Sequence, residues 1–522
     1  MRISWSWEND WAAVALIAAA LLLAAPLWCV HTPMMPDYPA HLATFWLIGR
    51  GISHPVLAKV YEIHWAFIPN LASEMLVPLL ARLVGLVTAI RIFLTGAVLM
   101  WVLGPGLVHR ALYGRWGIAP LLGVFFAYNA NFFWGFFNYY FAAGLGIIVF
   151  AVWIGCKKKT PLRLCAFAAT VTAVYFCHVF AAASLLLMVA SYEIADHHRQ
   201  TGWNARGLLS RALCVAAVYL PAAIAFFLLR PANGGDMTLQ FNLADTMIDR
   251  FESLIEHSFD DPAYLLPVLL FALLAAALCV RRAQLHPSLW GVIAILFVVS
   301  VFAPESAMGG WGVDLRLPSL FAILLFAAAE LQLDRRLAYV LAGAALALVA
   351  WNAASLATVW RRYDRQVTEL RAADSAIPRR ARLLTVLDGN AIGERSDQPY
   401  WHMAAFAIID RGAFTPLMFT TSGQHIVQLH QPYKSIAAAT AQQGSPPDTD
   451  ELSALAAGNR NADENIRDIF PYLIRFQCHF DQALVIHLDG RRSKVPPMLR
   501  LVRAGSFFAL YDIRPDPACG QR

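Results

Sequence analysis

The stretch 31–41, His-Thr-Pro-Met-Met-Pro-Asp-Tyr-Pro-Ala-His, sets the carboxylate of Asp37 between the imidazoles of His31 and His41, directly after the first long apolar segment. Ionisable groups beside a bilayer are costly to desolvate, so each one is a functional hypothesis. A carboxylate there suits proton abstraction from a hydroxyl nucleophile. Asp37 also stands where it would cap a helix beginning near Pro39, and the two roles are compatible. His41, four residues on, would share a helical face with Asp37, where the pair could meet each other, a metal or one substrate. Spacing alone does not choose among these. His31 and His64 read as interfacial.

Other polar side chains recur in segments expected on the same side. Asn129, Asn131 and Asn138 lie in YNANFFWGFFNYY, and these neutral amides suit hydrogen bonds to hydroxyl groups. Trp134, Phe136, Phe137, Tyr139 and Tyr140 around them would stack on a ring, line a lipid groove or form an ordinary interfacial belt. His178 interrupts a long uncharged run and is either a hydrogen-bonded imidazole at a bend or a site histidine. Glu305, Asp314 and Arg316 precede another apolar run. Arg316 supplies a cation, which snorkelling or pairing with Asp314 would also explain.

The elements that must position these groups cross a membrane. Of the residues 58% are apolar and 15% charged, with repeated uncharged runs long enough to span about 30 Å of hydrocarbon. Expected spans are 11–30, 92–109, 117–130, 136–155, 162–177, 180–195, 211–229, 263–280, 288–303, 317–333 and 337–357. The first lacks a basic leader and a clear cleavage site and reads as a retained signal-anchor helix. With the N-terminus inside, Arg110/Arg115, Lys157–Lys159/Arg163, Arg199/Arg206/Arg211, Arg281/Arg282 and Arg335/Arg336 fall on the cytoplasmic side. The segment 230–262, with Asp236, Asp245, Asp249, Glu252, Glu256, Asp260 and Asp261, falls outside. The scheme requires 31–91 to be one outside loop of juxtamembrane helices, with Pro39–Arg50 and the moderately apolar 71–88 lying along the surface.

After residue 357 the composition turns polar. Residues 358–522 read as a water-soluble extracytoplasmic α/β domain, with strands at 382–387, 483–488, 499–503 and 507–513, a helix at 401–411 and a loop at 442–450. The fold class is thus a polytopic α-helical membrane protein of about eleven spans with a C-terminal α/β domain. Of eight cysteines only Cys478 and Cys519 share that domain. A disulfide between them and two separate thiols both fit the sequence. The net charge of +6 follows from orienting loops, with no basic stripe for nucleic acid.

The layout resembles the membrane-embedded GT-C glycosyltransferases, which include protein O-mannosyltransferases and the aminoarabinose transferases of lipid A. The shared features are one span, a long outside loop opening with an acidic residue (MPDYPAH), juxtamembrane helices, an LVTAIRI stretch into the second span, further spans and an extracytoplasmic C-terminal domain. The resemblance implies a polyprenyl-phosphate-linked sugar donor in the bilayer, an extracytoplasmic acceptor (glycan, lipid or protein), inversion at the anomeric carbon, and a bacterial inner-membrane location. Asp37 matches the position of the acceptor base, and Arg316 is the candidate cation for the leaving phosphate. His41, His178, Asn131, Asn138, Asp314 and Glu305 are candidate substrate- or donor-binding residues. The second outside loop carries amides where several family members have an acid, and Tyr38 follows Asp37. No cofactor is therefore assigned, a divalent metal stays open, and no metal ligand is named. A polytopic transporter or flippase, a polysaccharide ligase or polymerase using a diphosphate-linked donor, and a non-catalytic envelope scaffold are the alternatives. The paired broken helices of many transporters are not evident.

Overall fold

The computed structural model describes residues 7–50, 53, 55, 57–156, 160–229, 239, 241, 243–259, 261–308, 310–389, 395–437, 445–457, 470–489 and 493–519. Lys157–Lys159, Asp236, Asp260 and residues 442–444 of the expected loop lie outside them. In chain order the helices include α1 (Trp7–Cys29), α2 (Tyr38–Gly49), α3 (Ala72–Val84), α4 (Leu86–Tyr113), α5 (Ala119–Leu122), α6 (Ala130–Trp134), α7 (Phe137–Gly155) and α8 (Pro161–Cys177). They continue with α9 (Val179–Thr201), α10 (Ala205–Leu229), α11 (Leu243–Glu252), α12 (Leu265–Cys279), α13 (Trp290–Phe302), α14 (Arg316–Ala328), α15 (Arg335–Ala373) and α16 (Ala405–Arg411). The chain forms two compact units: Met1–Val30, Phe67–Met75 and Ile90–Val359 make the first, and His31–Ala66, Leu76–Ala89 and Trp360–Arg522 the second.

The first unit is a helical bundle. By length and composition α1, α4, α7, α9, α10 and α15 suffice to cross a membrane, and α8, α12, α13 and α14 are apolar but shorter. Each expected span but one coincides with one of these helices, because a long apolar run has no other way to satisfy its backbone in lipid. The exception corrects the expected span at 117–130. That segment is four-residue α5, a 3-10 stretch Gly123–Ala127 and then α6. It nevertheless runs alongside α14. Tyr113 Oη donates to the Ala328 carbonyl at one end, and Asn131 Nδ2 donates to the Leu315 carbonyl at the other. A Cβ on Gly123 would stand 2.9 Å from that of Phe326, so glycine sets this close approach. Non-helical backbone is tolerated at such depth only where protein covers it, and Leu121, Val124, Phe125, Phe126, Ala127 and Tyr128 are all buried.

Among the described residues, three of the basic connections lie at one end of the bundle. Arg115 pairs with Glu330 at 2.6 Å, Arg199 Nε donates to Ser288 Oγ at 2.9 Å, and strands Ala283–Leu285 and Ala329–Leu331 pair antiparallel beside Arg281 and Arg282. The chemically suggestive residues of this unit, from Asn131 to Arg316, occupy the other end.

In the second unit a four-stranded sheet runs in the order Leu499–Ala504, Phe508–Ile513, Gln482–His487, Leu383–Asp388; the last two strands are parallel and the other pairings antiparallel. The two parallel strands are buried along their whole length, as expected of near-continuous apolar runs. A short antiparallel pair joins Tyr61–Ile63 to Val427–Leu429, and Ala40, Ala43 and Leu47 of α2 share a core with Ala405 and Ile408 of α16. These contacts are why 31–66 clusters with the C-terminal residues.

Several local expectations change. The helix expected from Trp401 begins at Ala405 and stops at Gly412, in the left-handed region at φ 66°. The helix Thr449–Ala456 starts inside the expected loop, because Asp448 and Glu451 form a reciprocal capping box. α15 runs through residue 358 without a break, since neither glycine nor proline occurs between Gly343 and Pro378. Cys478 and Cys519 are disulfide-bonded, which settles the alternative the sequence left open.

Candidate functional site

Asp37 belongs to the second unit. It precedes α2 at the N-cap position with φ −81° and ψ −12°, and its side chain makes no capping hydrogen bond. The segment ahead of it is fixed by Asp364, which accepts the amides of His31 (3.1 Å) and Thr32 (2.9 Å), and by Tyr38 Oη, which donates to the His31 carbonyl. The Asp37 carboxylate is 17% exposed, and its Oδ1 lies 3.8 Å from His402 Nε2. That imidazole is itself oriented. Its Nδ1 is 3.1 Å from the Leu417 carbonyl, which can only accept, so Nδ1 carries the proton and the Nε2 lone pair faces Asp37.

Phe419 sits among three imidazoles, with ring centroids 5.0 Å from His41, 5.3 Å from His402 and 5.3 Å from His425. Burial pushes the Asp37 carboxyl well above the usual carboxylate range. Burial lowers His402 to about 4, against the opposing hydrogen bond to Leu417, and lowers His425 to about 4. The cluster therefore combines imidazoles whose proton affinity is lowered by burial with a carboxyl whose proton affinity is raised by it. His41 stacks on Phe45 and packs against Phe419. Among the described residues no three His, Cys, Asp or Glu side chains converge as a metal-binding set.

Arg316 belongs to the first unit, at the start of α14. It is 7% exposed, and its guanidinium lies 5.0 Å from the Phe180 ring, 5.2 Å from Phe136 and 5.4 Å from Tyr139. Nε and Nη1 have no hydrogen-bond partner among the described residues. Asp314 does not supply one: it pairs with Arg250 of α11 at 3.6 Å, while that arginine also donates to the carbonyls of Val301 and Ala303. Cation–π contacts offset only part of the cost of a buried charge. A planar guanidinium with open donors in an aromatic surround is suited to a phosphate or carboxylate. Tyr139 Oη donates to the Arg316 carbonyl at 2.6 Å and fixes the turn.

His178 stands beside this group, its ring 5.3 Å from Tyr139 and 5.7 Å from Phe180. Its Nδ1 accepts the Phe180 amide at 3.2 Å and caps α9, so Nε2 carries the proton. The bend is held from a second direction, where Leu71 donates to the Phe176 carbonyl and Val179 to that of Pro69.

The amides expected to meet hydroxyls are engaged internally. Asn131 donates to the backbone immediately ahead of Arg316. Asn138 Oδ1 accepts the Ser73 amide at 2.6 Å, and its Nδ2 donates to Glu74 Oε2 at 2.8 Å. Tyr139 and Tyr140 are buried packing groups rather than an interfacial belt. Glu305 accepts Trp311 Nε1 at 3.0 Å in a loop hairpin.

The structure thus brings Arg316 and His178 together in one unit, and sets Asp37 and His41 near His402, Phe419 and His425 in the other. His402, Phe419 and His425 were missed by sequence reasoning, as was Phe180. Nothing in QPYWHM or MFTTSGQH marks these residues locally.

No protein-family model and no curated protein matches the chain. Among solved structures it is similar to ArnT from Cupriavidus metallidurans bound to undecaprenyl phosphate, at 12% identity over 96% of this chain and 98% of that one, with a TM-score of 0.46. It is similar to apo ArnT from the same organism at 12% identity, over 97% and 98% of the two chains, with a TM-score of 0.47. It is also similar to the arabinofuranosyltransferase AftD from Mycobacteria at 15% identity and a TM-score of 0.47, over 99% of this chain and 40% of that one.

Proposed function

We propose that this membrane protein is a GT-C-type glycosyltransferase of the bacterial inner membrane, which moves a sugar with inversion from a polyprenyl-phosphate donor to an extracytoplasmic acceptor hydroxyl. The supporting observation is at Asp37. A carboxylate at a helix N-cap that caps nothing, partly accessible and with raised proton affinity, has the properties of a general base. In this reading Asp37 takes the acceptor proton as the oxygen attacks the anomeric carbon. The bond from that carbon to phosphate breaks, and the phosphate leaves with the electron pair.

Arg316 is assigned to an anion, the donor phosphate in this reading, because it is buried with open donors. Each residue owes its properties to surroundings inside its own unit. Asn131 and Asp314 shape the backbone and neighbours around Arg316, Asn138 holds Glu74, and His178 braces the bend between α8 and α9. The N-terminus is assigned to the cytoplasm and residues 358–522 to the outside. Cysteine labelling after Lys158 and after Gly235, both outside the described residues, should then report opposite sides.

The decisive experiment uses purified protein in detergent with a polyprenyl-phosphate-linked sugar. Release of polyprenyl phosphate upon addition of acceptor, without any nucleotide sugar, is expected. A requirement for a nucleotide sugar would exclude the reading.

A further inference from the structure

We infer that His402 is the positioning partner of Asp37, receiving a hydrogen bond at Nε2 from the Asp37 carboxyl after that group has taken the acceptor proton. The inference rests on the role proposed for Asp37. Three observations carry it. His402 is buried, and its Nε2 lies 3.8 Å from the carboxylate. Its tautomer is fixed by the Leu417 carbonyl, so the nitrogen that faces Asp37 bears a lone pair and no proton. The Asp37 carboxylate has no cap to serve. At 3.8 Å the contact is too long for a hydrogen bond, and catalytic contacts commonly tighten only when substrate is bound.

The proton count closes with one proton. The acceptor O–H bond breaks and an Asp37 O–H bond forms, and that proton points to His402 Nε2, which stays uncharged. The acceptor proton is taken at Oδ1, the oxygen that faces His402, and the new O–H turns to Nε2 as the acceptor oxygen leaves it. The arrangement also favours the protonated carboxyl, since a lone pair can only receive a hydrogen bond. Among the described residues, ionisable groups near the pair come from several elements. His41 comes from α2 and His425 from the loop that carries Phe419. Asp397, on the turn before His402, accepts Trp401 Nε1 at 2.8 Å. From α15, Tyr363 Oη donates to the Pro399 carbonyl at 2.7 Å, and Asp364 holds the amides of His31 and Thr32.

The test measures Asp37 titration directly and needs no substrate. Dicyclohexylcarbodiimide adds to protonated carboxyls in apolar surroundings. Its incorporation at the Asp37 peptide of the full-length protein in detergent is followed by mass spectrometry against pH, with Asp37→Asn as the unlabelled control. His402→Asn keeps a donor for Leu417 but lacks the facing nitrogen, and His402→Leu is an apolar replacement of similar bulk; either one, folded, decides the matter. The half-labelling pH should fall by roughly 0.5–1 unit, the size of one net hydrogen bond. A half-point unchanged from wild type in a folded variant would overturn the pairing while leaving the role of Asp37 intact. A fully active Asp37→Asn protein would remove that role itself.

Discussion

Replacing Asp37 by Asn should separate activity from stability in opposite directions. The side chain makes no capping bond in the native state, so the isosteric amide removes no helix stabilisation. A general base contributes about 10²–10⁴-fold, and turnover should fall by at least the lower figure. Stability should move the other way. Burial raises the Asp37 proton affinity in the folded state above its unfolded value. The carboxyl's contribution is therefore complete below the unfolded value near pH 4 and declines as pH rises toward the folded pKa. The slope of that decline reaches at most about 1.4 kcal/mol per pH unit. Asn does not titrate. The variant should melt with wild type near pH 4 and above it at neutral pH, when both are followed by intrinsic fluorescence in the same detergent. Turnover is read as polyprenyl phosphate released. A variant that turns over normally, or one that melts progressively below wild type as pH rises, would refute the reasoning.

Arg316→Gln should raise the KM for the lipid-linked donor by about 10- to 100-fold with little change for acceptor, since a hydrogen bond to a charged group is worth about 1.5–3 kcal/mol; an unchanged donor KM would release Arg316 from the site. Asp374, pushed up to about 8 by burial and by its hydrogen bond with Asp410, stabilises the fold below the unfolded carboxylate value and loses that contribution as pH rises to about 8. Asp374→Asn should therefore match the wild-type melting temperature near pH 4 and exceed it at pH 9, and equal melting at both values would contradict the assignment. Gly123→Ala should destabilise by about 1–3 kcal/mol through overpacking against Phe326, measured as a lower thermal midpoint; a neutral result would mean that this approach to α14 is loose.

An apolar run long enough to need a helix is a local property of the chain, and such runs located α1, α4 and α7 through α10, with ends displaced by up to six residues. The sequence also identified the strands around 383–388 and 482–487, because their β-branched and apolar runs are local properties of a buried strand. Asp37 could be singled out for the same reason, as a charge where desolvation is costly. Hydrogen-bond partners are not local, because they depend on which elements the fold brings together. The lone pair that faces Asp37 belongs to a histidine in the C-terminal part of the chain, fixed by a carbonyl further along. Asn131 Nδ2 donates to the Leu315 carbonyl, and Asn138 is held by Ser73 and Glu74. The segment 117–130 has the hydropathy of a span but not its helix, because neighbouring side chains cover a backbone that lipid would not tolerate. Burial propensity is written residue by residue along the chain, whereas the satisfaction of a particular polar atom depends on which distant element arrives beside it.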